Sequence, residues 1–158
     1  MASPEKGVMQ NPFHFSTEVR VRLPETDAMG VVFHGYFFTY MEVGRMDYLR
    51  NLGLADPEPH QSRRPIRDFT NLVARAACDF RSPARFDDPL VVHVRIAHLG
   101  RTSFRFAFRM VHKRENRLVA EAESVHVAID DTTWKATEIP EFFREAVRAF
   151  EGTALDEA

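Results

Sequence analysis

Lysine and cysteine are both scarce in this 158-residue chain, with three of the first and one of the second. A single thiol, Cys78, cannot pair within the chain, which excludes a disulfide scaffold, and zinc-ribbon sites need more thiols than this. No run approaches the eighteen or so apolar residues of a membrane span. The opening stretch MASPEKGVMQNPF lacks the apolar core of a signal peptide, so a cytoplasmic protein with no membrane partner is expected. Of 21 basic residues only Lys6, Lys113 and Lys135 are lysine, leaving 18 arginines, yet 23 acidic residues bring the formal charge to −2. That balance argues against a dedicated nucleic-acid binder, which carries a clear positive excess. Phosphate loops and nucleophile elbows are missing, since GxGxxG, GxxxxGK[ST] and GxSxG occur nowhere. The seven histidines form no HExxH or other compact ligand set, so no metal is expected.

What is abundant is apolar residues, 44% of the chain, including 14 phenylalanines. A chain of this length buries roughly 70% of its unfolded surface, enough for one packed domain. The expected organisation is a flexible tail over 1–13, a single domain over 14–150 and a frayed tail over 151–158. In FSTEVRVRL, Phe15, Thr17, Val19, Val21 and Leu23 alternate with polar residues, the period of a half-buried strand. A helix follows from about Tyr36 to Leu52, with Phe37, Met41, Gly44, Tyr48 and Leu52 as one stripe and Gly53 just past its end. The polar segment ADPEPHQSRRP reads as an exposed loop. Four alternating runs then occupy about 67–81, 89–98, 102–113 and 117–130, separated by short turns that imply antiparallel neighbours. Pro140 opens a final amphipathic helix, EFFREAVRAF. This order describes an α+β domain in which one sheet covers one long helix, and aromatic residues on an uncovered edge favour self-association.

Without a nucleophile motif, and with Cys78 in the alternating run AACDF as a small core residue, carboxylates are the credible catalytic groups. The informative segment is PETDAMGVVFHGY, residues 24–36. It places Asp27 just before a helix N-terminus, whose free N–H groups suit an anion, so a carbonyl held there would meet a carboxylate and oxyanion donors together. The same spacing equally describes an Asp that only shapes a turn.

The stretch ETDAMGVVFHGYFFTYMEVGRMDYLR resembles the signature of the hotdog-fold 4-hydroxybenzoyl-CoA thioesterase family, including its bacterial short-chain acyl-CoA thioesterases. FRSPARFDDPLVVHVRIAHLGRTSFRF and EAESVHVAID resemble that family's later blocks, so the similarity spans roughly 15–140. The resemblance implies a hotdog fold, an antiparallel five-stranded sheet wrapped around one long central helix. It implies hydrolysis of an acyl thioester to a carboxylic acid and free CoA, with no cofactor. Asp27 falls on the family's catalytic carboxylate, as nucleophile or as base for a water. His34 falls on the histidine at the helix entrance, where a backbone N–H polarises the thioester oxygen. Gly30, Val31, Gly35 and Tyr36 would line the substrate site, Gly30 letting the loop approach the acyl group. Leu23, Phe33 and Tyr36-Phe37 depart from the family's usual residues and point to a more apolar acyl pocket.

Glu42, on the helix, is a fallback catalytic carboxylate, set against an ion pair with Arg45 three residues on. Arg101 follows the Leu99-Gly100 turn, where the family places basic residues near the CoA phosphates; Arg63, Arg64 and Arg85 are further candidates. A homodimer or homotetramer is expected, with each site built across a subunit interface. The alternatives are an acyl-carrier-protein thioesterase and a hotdog module that binds acyl-CoA without turnover.

Overall fold

The structure, a computed structural model, describes residues 11–55 and 69–158. The expectations for most of the N-terminal tail, for the polar loop, and for Arg63 and Arg64 therefore lie outside the described residues. Strand β1 (Phe15–Arg20) leads through a short 3-10 turn (Leu23–Glu25) and a loop into helix α1 (Gly35–Asn51). Strands β2 (Thr70–Phe80), β3 (Pro89–Leu99), β4 (Ser103–His112) and β5 (Arg117–Ile129) follow, then helix α2 (Glu141–Glu151), a second 3-10 turn and a short strand β6 (Asp156–Glu157).

The sheet runs β1-β3-β4-β5-β2, all antiparallel, and β6 adds a sixth strand parallel to the end of β3. The five-stranded sheet around one long helix is thus corrected to six strands with a second helix, α2, which is the final helix expected after Pro140. Residues 151–158 fold back against the domain. Glu151 is buried, and Arg148 and Arg144 both hold the Glu157 carboxylate. The Ala158 N–H donates to the Leu99 carbonyl at 3.0 Å. At the other end the alternation of β1 stops early: Pro24 sits inside the 3-10 turn, and Leu23 is 63% exposed.

Helix α1 lies on the inner face of the sheet, its buried stripe being Phe37, Tyr40, Met41, Gly44, Tyr48 and Leu49. Gly44 is what lets it settle so low, because a Cβ there would stand 2.8 Å from Val94 Cγ2 and 2.9 Å from Val92 Cγ1 on β3. The helix ends where Gly53 takes φ +71°. There Leu54 N–H donates to Leu49 and Gly53 N–H to Arg50, the paired bonds of a Schellman motif. Phe104, Phe106, Phe108 and Met110 of β4 point inward beneath it, fully buried, while Arg105 and Arg109 face outward to Glu123 and Glu121. Helix α2 caps the far end of this core through Phe143 and Val147. No described helix is long and apolar enough to cross a membrane.

Candidate active site

Asp27 heads a tight loop between the 3-10 turn and α1. Thr26 and Val32 pair across its neck. Asp27 N–H donates to the Val31 carbonyl at 2.8 Å, and Gly30 N–H donates to the Asp27 carbonyl at 3.0 Å. The Asp27 side chain turns back on its own loop, with Oδ1 accepting from Met29 N–H at 2.8 Å and, weakly, from Val31 N–H at 3.5 Å. This is the turn-forming habit of aspartate, and it fixes the carboxylate. Oδ2 takes no hydrogen bond among the described residues, and the residue is exposed. Turn-shaping and availability for chemistry therefore coexist in one side chain. Gly30 supplies the φ of +75° that closes the loop.

The loop is anchored on both sides. Val32 N–H donates to the Ala84 carbonyl, and Phe33 N–H to the Glu25 carbonyl. His34 then precedes α1 as its N-cap. Tyr36 and Phe37 N–H groups close onto Phe33 and His34, leaving those of His34 and Gly35 without an acceptor among the described residues. These are the orphan donors of a helix start, at its positive end. Beside them Val31, Val32, His34, Phe37, Phe80 and residues 81–84, Arg81 among them, line an open cavity of about 290 Å³. Its walls are aromatic: Phe80 meets Phe37 edge-on at 5.2 Å and His34 at 6.4 Å between ring centres. Asp27 stands outside this lining, on the loop that contributes Val31 and Val32.

The structure thus brings Asp27, Gly30, Val31, His34, Gly35 and Tyr36 together on one loop and helix start. It separates the other two candidates. Glu42 lies two turns along α1, its carboxylate gripped by Arg45 through contacts of 3.0 and 2.7 Å. Arg101 is exposed at the turn after β3, ion-paired with Glu138 at 3.5 Å. The Asp27 loop is tied through Val32 to Ala84, five residues before β3 begins. Arg101 follows the other end of that 11-residue strand, so within one chain it lies far from the Asp27 loop. The arginine this chain does place at the loop is Arg85, whose Nη1 would be 3.8 Å from a Cβ built on Gly30.

Two residues of the site are not evident from spacing. Glu25, 3% exposed, accepts from Arg22 N–H at 2.8 Å, Arg22 Nε at 2.7 Å and the Tyr40 hydroxyl at 2.7 Å. Burial works to raise its pKa, but these donors outweigh it and hold the carboxyl below its ordinary range. Burial and the facing Glu25 charge push the Tyr40 phenol well above its ordinary value. Both lie within the stretch ETDAMGVVFHGYFFTYMEVGRMDYLR singled out above, but no spacing pattern points to their pairing.

A second polar cluster lies under the sheet. His126 joins Ser124 Oγ at 3.0 Å and Asn71 Oδ1 at 3.1 Å. Its order resembles a nucleophile triad, but Ser124 and His126 are buried at 4% and 1% exposure. Burial, with Arg45 nearby, depresses the His126 pKa to about 4. Cys78 is half-buried, and burial followed by the Asp79 charge raises its thiol to about 11, which keeps it unreactive. Among the described residues no three His, Cys, Asp or Glu side chains gather to hold a metal ion.

Comparison with known proteins converges on one class. The family whose model matches, over residues 21–147, is described as the Thioesterase-like superfamily. The acyl-CoA thioester hydrolase YbgC of Escherichia coli is 31% identical over 128 residues, covering 80% of this chain and 90% of that protein. The crystal structure of Slr0204, a 1,4-dihydroxy-2-naphthoyl-CoA thioesterase from Synechocystis, superposes with a TM-score of 0.74 at 25% identity, covering 84% of this chain and 94% of that one. A thioesterase from Thermus thermophilus, crystallised with coenzyme A and Zn, superposes with a TM-score of 0.71 at 28% identity, covering 89% and 95%.

Proposed function

This chain belongs to the Thioesterase-like superfamily, and from that membership we propose that it hydrolyses acyl-CoA with Asp27 as the reacting carboxylate. Its relatives are named acyl-CoA thioester hydrolases and thioesterases, and the chain is accordingly a thioester hydrolase. The observation that carries the assignment of Asp27 is its geometry. One carboxylate oxygen is fixed by the loop and the other is free, beside a helix start with two unused N–H groups. A thioester carbonyl seated between them has its oxygen polarised by His34 and Gly35 N–H while Asp27 attacks the carbonyl carbon or takes a proton from the attacking water. Removing one such donor typically costs about 3–4 kcal/mol of barrier. The cavity walled by Phe37 and Phe80 receives the acyl group.

The site is open in a single chain, and we extend the proposal to a homodimer that closes it. Among the described residues strand β2 has no partner on its outer edge along its 11 residues, and its inner face carries Val73 and Phe80, 53% and 50% exposed. Such an edge invites pairing with another copy. Antiparallel pairing of two β2 strands about a two-fold axis sets the Phe80 end of one against the Thr70 end of the other. Thr70 pairs with Ile129 at the end of the sheet that bears Arg101. The second copy's Arg101 is thereby carried toward the first copy's Asp27, where it would serve the CoA phosphates. A thiol-release assay over short-chain, long-chain and aromatic acyl-CoAs, 4-hydroxybenzoyl-CoA among them, with matched acyl-carrier-protein thioesters, tests the activity and names the acyl group. Saturable acyl-CoA binding with no thiol released from any of them would overturn it.

A further inference from the structure

Glu25 is a buried carboxylate two residues before Asp27, and thioester chemistry gives it no direct task. Its surroundings give it another. The side chain sits at the end of the 3-10 turn and reaches across to α1, where the Tyr40 hydroxyl donates to Oε2 at 2.7 Å. Among the described residues this is the one side-chain hydrogen bond between the loop and α1. The backbone carbonyl of the same residue accepts from Phe33 N–H at 2.9 Å. Glu25 therefore ties the entry of the Asp27 loop to its exit through its backbone, and to the second turn of the helix through its side chain. Two groups must cooperate on one carbonyl: the Asp27 carboxylate, two peptide bonds away from Glu25, and the N–H groups of His34 and Gly35, one and a half turns before Tyr40. Their separation is set by a frame in which Glu25–Tyr40 is the cross-brace. Arg22 completes it from the other side, donating from both its backbone N–H and Nε.

We propose that Glu25, anchored by Tyr40, is a positioning residue that fixes the distance between the Asp27 carboxylate and the free N–H groups at the start of α1. This rests on the thioesterase reading above. Neither Glu25 nor Tyr40 lines the cavity, Tyr40 meeting that lining only through Phe37 at 5.8 Å between ring centres, so loss of the brace is read in the alignment of catalytic groups more than in the binding of substrate. Misplacement of such groups by about 1 Å reduces turnover roughly 100-fold.

The test compares wild type, Glu25→Gln, Tyr40→Phe and the double variant in steady-state thiol release on the best substrate of the panel. Hydrogen exchange of the 26–33 amides is followed in parallel. Glutamine keeps the size of Glu25 but presents an amide to the Arg22 Nε donor, and phenylalanine removes only the Tyr40 hydroxyl. The expected result is a fall in kcat of roughly 10- to 100-fold in each single variant, with KM within about twofold of wild type. The double variant should fall no further than the weaker single, and exchange should be faster across 26–33 in all three. Variants that keep the parent kcat, or unchanged exchange, would overturn the brace, as would single losses that multiply. A wild type that releases no thiol from any substrate would instead overturn the thioesterase reading, and the positioning role with it. Thermal unfolding of each variant separates a local loosening from a global loss: a variant with the parent Tm and reduced kcat supports the brace, whereas kcat that merely tracks the unfolded fraction refutes it.

Discussion

Replacing His126 with glutamine should remove a specific part of the protein's sensitivity to acid. The imidazole is 1% exposed, stacked on Phe104 at 5.4 Å between ring centres. Asn71 Oδ1 accepts from Nδ1–H, so the neutral ring presents Nε2 to the Ser124 hydroxyl. Protonation would place a cation in this apolar layer near Arg45, with the Glu42 charge only partly offsetting it, and these causes bring the folded pKa to about 4. The unfolded chain has the ordinary value of 6.5. Because the folded pKa is the lower one, the unfolded state binds the proton more readily, and acid favours unfolding. The contribution is intact above pH 6.5 and is lost as pH falls toward 4. One pKa unit corresponds to 1.36 kcal/mol, so the whole effect is about 3 kcal/mol. Roughly 2 kcal/mol of it disappears between pH 7 and pH 5. Urea unfolding at pH 7, 6 and 5 measures this for wild type and His126→Gln. Wild type should lose about 2 kcal/mol more than the variant across that range. Equal losses in the two proteins would refute the account of this cluster.

Two further outcomes test the frame around the site. Gly44→Ala should destabilise by about 1 kcal/mol in urea unfolding: the added Cβ overlaps Val92 and Val94, a strain of about 1–3 kcal/mol that exceeds the gain of about 1 kcal/mol in helix propensity. An unchanged or raised midpoint would mean that α1 does not rest on β3 this closely. Removing residues 155–158 should lower Tm, because Glu157 joins Arg144 and Arg148 and β6 covers the end of β3. A parent Tm would mean that this segment frays as composition alone suggests.

Much of the fold was legible because its periodicities are local. The alternation of Phe104, Phe106, Phe108 and Met110 with arginines needs no partner to be read, and Gly53 marks the end of α1 by its backbone alone. Leu23 misled because it continues the alternation in the sequence, yet it is the first residue of the 3-10 turn that Pro24 occupies. The C-terminal residues look polar and short, yet Glu151 Oε1 accepts from the Tyr48 hydroxyl at 2.6 Å and from Ile96 N–H at 3.0 Å. Those partners lie far off in sequence, beyond the reach of any local pattern. The site divides in the same way. Asp27, Gly30 and His34 fall within eight consecutive residues and carry a recognisable signature. Glu25 and Tyr40 fall in the same recognisable stretch, but their contact crosses a helix start and no local pattern pairs them. Phe80 reaches the cavity only because β2 ends beside α1, a fact of sheet order. Arg101 and the Asp27 loop lie toward opposite ends of β3, so any joint role depends on a second copy.

The central claim is that Asp27 performs the chemistry, and a single substitution addresses it. Asp27→Asn keeps the size of the side chain and an acceptor for Met29 N–H, while removing the nucleophilic or basic oxygen. Thiol release from the preferred acyl-CoA should fall by roughly 100-fold or more, with acyl-CoA binding retained. Turnover at the parent rate by the purified, folded variant would contradict the account.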